Sequence, residues 1–216
     1  MELYHVLNRG VEKRNIFLDD RDRARFVHDL FEFNDTARAN NTTRHMNDLR
    51  GRSSERERLV DINGWCLMGN HYHLLLSECL EGGLTKFIMK VNVGYAKYFN
   101  EKYSRSGTLF QGRTKKVLIE REAHFLHILH YIHLNPLDFL KGAKDWRMRT
   151  IVDKKKASEY LDRYRWSSYL DYCKRENFPA LLTRELFMDV FPDYRRAIRA
   201  YLREIDINVV SGLTLE

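Results

Sequence analysis

Two apolar stretches separated by a two-residue turn are the feature of this sequence that most restricts its fold. The stretches cover residues 60–68 and 71–77, and Gly69 and Asn70 lie between them. Apolar runs of this length joined by such a pair are typical of a tight antiparallel hairpin. The second run is apolar on both faces, which indicates a strand in the interior of a sheet. An antiparallel sheet is therefore the predicted core.

The neighbouring segments place this hairpin in a βαββαβ order. Residues 4–9 form a strand-like run that ends at Gly10, and residues 19–34 have the apolar spacing of a helix. After the hairpin, residues 84–103 predict a second helix and residues 115–120 another short strand. This is the order of a ferredoxin-like antiparallel sheet with helices on one face, so the predicted fold class is α+β.

Two regions lie outside this unit. Residues 35–58 are polar and strongly charged, which predicts an exposed insertion. A further helix over residues 122–134 ends before Pro136, and amphipathic helical segments follow at residues 157–163, 167–174 and 183–205. We therefore predict a functional domain over residues 1–140 and a helical C-terminal extension over residues 141–216.

The charge balance favours a polyanionic partner. The chain of 216 residues has 37 lysines and arginines against 30 aspartates and glutamates, which gives a net charge of +7. Its apolar content of 44% is too high for a disordered chain, so this charge lies on a folded surface. Charge alone does not distinguish a nucleic acid from other anionic partners.

The cysteines and the N-terminus indicate a cytoplasmic protein without a membrane partner. Cys66, Cys79 and Cys173 are odd in number and widely spaced, which predicts neither a disulfide framework nor a cysteine metal site. The first residues lack the basic and apolar pattern of a leader, and no segment has 18 uninterrupted apolar residues.

His71 and His73 form the first candidate site. Alternate residues of a strand point to the same face and lie roughly 6.6 Å apart along it, so these two imidazoles can converge on one ion. Two histidines on a sheet face can also pack or form hydrogen bonds without a metal. The spacing alone leaves both interpretations open.

Four more histidines recur at every third position of the predicted helix over residues 122–134, namely His124, His127, His130 and His133. Because a helical turn needs 3.6 residues, the stripe drifts by about 60° per step and the four cannot bind one ion. For most of the four, a stripe that is hydrated or lies at the edge of the core is the preferred interpretation. On the same helix, Tyr131 and Asn135 are four residues apart and lie on nearly the same face.

Five motifs together resemble the single-tyrosine HUH transposases, and within them the REP-associated tyrosine transposases. The similarity spans roughly residues 4–169. It rests on the order and spacing of the segments at residues 4–10, 68–76, 98–113, 131–136 and 166–168. The resemblance implies an enzyme that cleaves and rejoins single-stranded or hairpin-associated DNA. Such an enzyme is expected in the cytoplasm, in association with the nucleoid.

The resemblance also implies roles for individual residues. Tyr131 is the expected nucleophile, and His71 and His73 are the expected ligands of Mg²⁺ or Mn²⁺. Asn135 is the expected third protein ligand, although many relatives have the longer glutamine there. Tyr72 replaces the bulky aliphatic residue usually found between the two histidines. The sequence does not decide whether the chain acts as a monomer or as a homodimer.

Basic residues near predicted loop and strand ends are candidates for contacts with DNA phosphates, namely Arg9, Arg105, Arg113, Lys115 and Lys116. Tyr95, Tyr98 and Tyr103 are competing tyrosines on the preceding helix. A non-catalytic nucleic-acid-binding protein is the first alternative function. A metal-dependent hydrolase that uses water is the second, with Glu78 and Glu120 as loosely placed carboxylates.

Overall fold

A computed structural model describes residues 2–37, 56–148 and 151–203. Its sheet has four antiparallel strands in the spatial order β2-β3-β1-β4. These strands are β1 (Leu3–Arg9), β2 (Val60–Leu67), β3 (His71–Glu78) and β4 (Lys115–Leu118). The hairpin of β2 and β3 and the central position of β3 confirm the interpretation of the two apolar runs.

Two helices complete the βαββαβ unit and confirm the predicted fold class. Helix α1 (Asp20–Glu32) follows β1, and helix α2 (Gly83–Lys102) joins β3 to β4. Asp19 begins α1 with a capping box, in which its side chain accepts a hydrogen bond from the Asp22 amide. Both helices pack on one face of the sheet, in a cluster that includes Val6 and Leu74.

The opposite face of the sheet is covered by helix α3 (Glu122–Leu134) together with the C-terminal extension. Gly64 of β2 allows α3 to lie close to the sheet, because a Cβ atom there would come within 2.9 Å of the Leu129 side chain. The second hydrophobic cluster joins Leu75 of β3 to Phe187 and Tyr194 of the extension. Residues on both sides of the predicted boundary at residue 140 therefore share one core.

The described part of the extension, up to residue 203, contains four α-helices, namely α4 (Lys154–Leu161), α5 (Tyr169–Tyr172), α6 (Glu185–Met188) and α7 (Tyr194–Tyr201). Two 3-10 turns, Asn135–Phe139 and Lys144–Met148, connect α3 to them. The described part of the helical segment predicted over residues 183–205 consists of two separate helices, α6 and α7. Pro192 lies between them and cannot donate a helical hydrogen bond.

The predicted insertion over residues 35–58 lies largely outside the described residues. Within the three described ranges, no helix combines the length and the apolar composition that are needed to cross a bilayer.

Candidate active site

Three histidines lie together on the sheet face that α3 covers. His71 and His73 extend from β3, and their ring centroids are 4.9 Å apart. His5 extends from the neighbouring strand β1 and stacks on His73 at 5.2 Å. The alternation of β3 brings the first two together, and the register of β1 against β3 adds the third.

Hydrogen bonds orient the imidazoles of the histidine pair. The Nδ1 atom of His71 lies 2.6 Å from the side-chain oxygen of Asn70, and the Nδ1 atom of His73 lies 3.0 Å from the Nε2 atom of His5. Since an amide oxygen only accepts, His71 donates from Nδ1, which makes its Nε2 the basic atom. A Nδ1 donor in His73 would give that ring the same tautomer.

Burial lowers the pKa of His73 well below its usual range, and the nearby charges of His71, His5, Arg147 and Arg9 lower it further. His73 is therefore neutral at neutral pH, which is the state that a metal ligand requires. Two imidazoles oriented by hydrogen bonds, one of them held neutral by burial, fit a divalent cation as part of its ligand set. Among the described residues, no three or more His, Cys, Asp or Glu side chains are arranged to hold a metal ion.

Helix α3 places Tyr131 against these histidines. The centroid of its ring is 5.8 Å from that of His73 and 6.0 Å from that of His5, with both contacts edge-on. Tyr131 is only 4% exposed. On its other side lie Trp146, at a ring distance of 5.7 Å, and the Arg147 guanidinium, 5.9 Å from the ring centroid.

Asn135 connects the helix of Tyr131 to Arg147. Its amide nitrogen donates to the Tyr131 carbonyl at 3.0 Å, and its oxygen accepts from the Arg147 guanidinium at 2.9 Å. Arg147 also forms two hydrogen bonds to the Asp138 carboxylate, at 2.6 and 3.0 Å. In the structure, the Asn135 side chain positions these groups, and its role as a metal ligand stays a prediction.

The competing tyrosines lie on the other side of the sheet. Tyr95 is buried in the cluster of α1 and α2, and its hydroxyl donates to the Ile16 carbonyl. The hydroxyls of Tyr98 and Tyr103 donate to Asp22. None of these three contacts the histidine cluster, so the geometry favours Tyr131 among the four tyrosines that were considered.

Three of the five predicted DNA-contacting residues lie together. Arg9, Arg113 and Lys115 line one cavity of about 190 Å³ at the end of β1. Arg9 is the direct cross-strand partner of His71, so this cavity borders the histidine cluster. Lys116 donates to Thr85 of α2, and Arg105 donates to Asn100, so these two residues lie elsewhere.

The helical histidines have different surroundings. His133 is completely buried, and its two ring nitrogens lie 2.7 Å from the Tyr194 hydroxyl and 2.7 Å from the Ser168 hydroxyl. His130 lies 3.2 Å from the same Tyr194 hydroxyl. Both therefore connect α3 to the extension, whereas the His127 ring packs at a tilt against that of Tyr201, with centroids 5.3 Å apart. The prediction of a stripe at the edge of the core therefore holds for the half-buried His124 and His127 and was wrong for His130 and His133, which are buried.

The carboxylates expected for a water-using hydrolase are not beside the histidines. Glu78 lies at the opposite end of β3 from His71, and its carboxylate accepts a hydrogen bond from the Leu84 amide at the start of α2. Glu120 follows the end of β4 and is exposed.

Sequence reasoning missed two residues of this site. His5 had a detectable signal, because an odd-numbered residue of β1 faces the same side as His73 once the two strands are paired. No sequence signal indicates Arg147, because it lies 12 residues after Asn135. Only the path of the two 3-10 turns brings it back to Tyr131.

Comparisons with known proteins give matches among solved structures but none among families or curated proteins. No protein-family model matches the sequence, and no curated protein matches it. Among solved structures, the chain is similar to a REP-associated tyrosine transposase bound to a REP hairpin. The alignment covers 86% of this chain and 87% of that chain, with a TM-score of 0.47 and 13% identity.

Proposed function

We propose that this chain is a transposase-like DNA nuclease and strand transferase that acts through a covalent link to Tyr131. The observation that carries the proposal is the packing of the Tyr131 ring edge-on against His73 and His5. The proposed nucleophile therefore lies beside a group of imidazoles, with Arg147 over its ring and Arg9 on the strand next to His71. Preorganised groups of this kind are what the attack on a phosphodiester requires.

The proposed reaction exchanges one phosphodiester for another. The Tyr131 oxygen attacks the phosphorus of a single strand and loses its proton, while the bond from phosphorus to the 3′ oxygen breaks. The 3′ oxygen takes up a proton and leaves as a hydroxyl, and the 5′ side stays linked to Tyr131. Because the ester bond is conserved, the reverse attack by a 3′-hydroxyl rejoins DNA without ATP.

The proposed metal ligands are His71, His73 and Asn135, with Mg²⁺ or Mn²⁺ as the cation. When bound, such a cation offsets the negative charge of the phosphate and orients it. Hydrogen bonds orient both histidine rings, and burial keeps His73 in the neutral state that this role needs. Asn135 would have to share its oxygen with Arg147 or release that contact.

Arg147 and Arg9 are proposed to hold the phosphate that is attacked. Arg147 lies over the Tyr131 ring, and Arg9 lines the cavity that borders His71. A guanidinium group can donate two parallel hydrogen bonds to the oxygens of one phosphate. The two arginines can therefore hold the DNA strand on both sides of the nucleophile. Because Tyr131 is 4% exposed, the segment that carries Trp146 and Arg147 must shift before DNA reaches it.

The proposal is tested by trapping the covalent intermediate. Wild-type protein is incubated with end-labelled single-stranded and hairpin DNA and Mn²⁺, and adducts are resolved on a denaturing gel. We expect an adduct with wild-type protein, none with Tyr131→Phe, and an unchanged yield with Tyr95→Phe as the matched control. His71→Ala combined with His73→Ala should abolish the metal-dependent adduct.

The same experiment distinguishes the alternatives. A protein that binds these DNAs but never forms an adduct is the non-catalytic nucleic-acid-binding protein. Cleavage that yields a free 5′-phosphate without an adduct identifies a water-using hydrolase. An adduct that persists in Tyr131→Phe would move the nucleophile to another residue.

A further inference from the structure

A second basic cavity lies in the C-terminal extension, between α4 and α7. It has a volume of about 340 Å³, and Lys154, Lys155, Arg199 and Arg203 line it with Ser158, Glu159 and Leu202. Four cationic side chains against one carboxylate give the lining a net charge of +3. None of these residues belongs to the candidate active site.

The described chain offers no structural reason for this concentration of charge. Within it, none of the four cationic side chains forms an ion pair, and Glu159 has no cationic partner either. Among the described residues, Arg199 donates a hydrogen bond to the Ser158 hydroxyl at 3.2 Å, and this partner is neutral. By contrast, the neighbouring Arg195 pairs with Asp162 at 2.6 Å. Like charges that repel one another around a cavity are stabilised by an anionic ligand.

The lining also indicates the kind of anion. It contains no aromatic side chain, so it offers no platform on which unpaired bases could stack. Long lysine and arginine side chains instead suit the phosphates of a double-stranded backbone, which are contacted without reading the sequence. Helix α4 packs against the 3-10 turn Asn135–Phe139, which directly follows the helix of Tyr131.

We propose that this cavity binds backbone phosphates of double-stranded DNA and holds the duplex part of the substrate while Tyr131 acts on the single strand. The inference rests on the proposed function, because it assigns to the extension the DNA that lies next to the cleaved segment. It adds a binding site that is separate from the cavity lined by Arg9.

The first test neutralises the cavity. In one variant, Lys154, Lys155, Arg199 and Arg203 are each changed to glutamine. The matched control changes four exposed basic residues elsewhere, Arg21, Lys86, Lys97 and Lys174, so both variants lose the same charge. Binding of a labelled hairpin with a 20-base-pair stem is measured by fluorescence anisotropy over a range of salt concentrations.

We expect the cavity variant to bind the hairpin about tenfold more weakly or worse at ~0.1 M salt. The slope of log affinity against log salt should become shallower by roughly two to four, since each lost phosphate contact reduces it by about one. The control should change both quantities much less. Equal losses in the two variants would overturn the proposal.

The second test uses a variant that is expected to bind DNA more tightly, a result that misfolding cannot produce. Glu159→Gln removes the carboxylate from the cavity, and we expect the hairpin to bind roughly threefold more tightly, the effect of one charge at ~6 Å in water. Glu176→Gln, at an exposed position outside the cavity, is the matched control. A Glu159→Gln variant that binds no more tightly than this control would contradict the proposal.

Two further measurements separate this inference from the proposed function. The cavity variant should still form the Tyr131 adduct with a short oligonucleotide that has no duplex part. If wild-type protein forms no adduct at all but the difference in hairpin affinity persists, the proposed function fails and the cavity assignment stands. If the cavity variant loses only the binding of inorganic phosphate, measured by calorimetry, the site takes small anions and the assignment to DNA is wrong.

Discussion

Replacing Tyr194 by phenylalanine removes one hydroxyl from a buried chain of hydrogen bonds that joins the extension to α3. That hydroxyl lies 2.7 Å from His133 and 3.2 Å from His130, and His133 continues the chain to Ser168. The Ser168 hydroxyl in turn donates to the Trp65 carbonyl at 3.2 Å. Burial raises the pKa of Tyr194 and lowers that of His133, so both are neutral and the chain contains no ion pair.

The expected loss of stability follows from the two contacts. A buried polar atom left without its partner costs about 1–3 kcal/mol, so we assign about 2 kcal/mol to His133 and about 1 kcal/mol to the longer contact of His130. Tyr194→Phe should therefore lower the free energy of unfolding by about 3 kcal/mol. For a chain of this length, that corresponds to a decrease in Tm of roughly 6–12 °C.

The assay is urea unfolding followed by circular dichroism, with Tyr4→Phe as the control. The Tyr4 hydroxyl donates to Glu2 at an exposed site, so its removal should cost less than about 0.5 kcal/mol. An unchanged m-value in Tyr194→Phe would show that the variant still unfolds as one unit. A loss below about 0.5 kcal/mol in Tyr194→Phe would refute the account of this chain.

Two further predictions concern the histidines. His5→Ala should weaken the binding of Mn²⁺ to the protein by about 10–100-fold, because the His73 ring loses the partner that orients it. Calorimetry measures this affinity, and His5→Gln should retain part of it. Equal affinities in wild type and His5→Ala would show that His5 has no such role. Burial lowers the pKa of His73 and His133, so each ring takes up a proton on unfolding once the pH is below the unfolded pKa of about 6.5. The free energy of unfolding should therefore decrease as the pH falls below that value, by up to about 2.7 kcal/mol per pH unit for the two histidines. Urea unfolding at pH 5.5 and 7.5 measures this difference, and equal stabilities would contradict it.

The sheet could be predicted because its signals are local. The apolar runs at residues 60–68 and 71–77 and the turn at Gly69 and Asn70 define the hairpin without reference to the rest of the chain. Because alternate side chains of a strand point to the same face, the strand prediction also places His71 and His73 together. His5 required one more step, the pairing of β1 with β3, which depends on contacts between residues 68 positions apart.

The position of the extension could not be predicted in this way. An amphipathic helix has an apolar face that indicates burial but does not specify its partner. Tyr194 and Phe187 pack against α3 and the sheet, which no spacing in the sequence indicates. Arg147 likewise reaches Tyr131 only through the two turns after α3. The cover over the proposed nucleophile is therefore a product of tertiary packing.

The central claim is that Tyr131 becomes covalently linked to the 5′ end of cleaved DNA. The most direct measurement is mass spectrometry of the protein after incubation with single-stranded DNA and Mn²⁺, followed by nuclease and protease digestion. We predict one peptide that carries a nucleotide phosphate on Tyr131. A modified Tyr95, Tyr98 or Tyr103, or cleaved DNA with no modified peptide, would contradict the account.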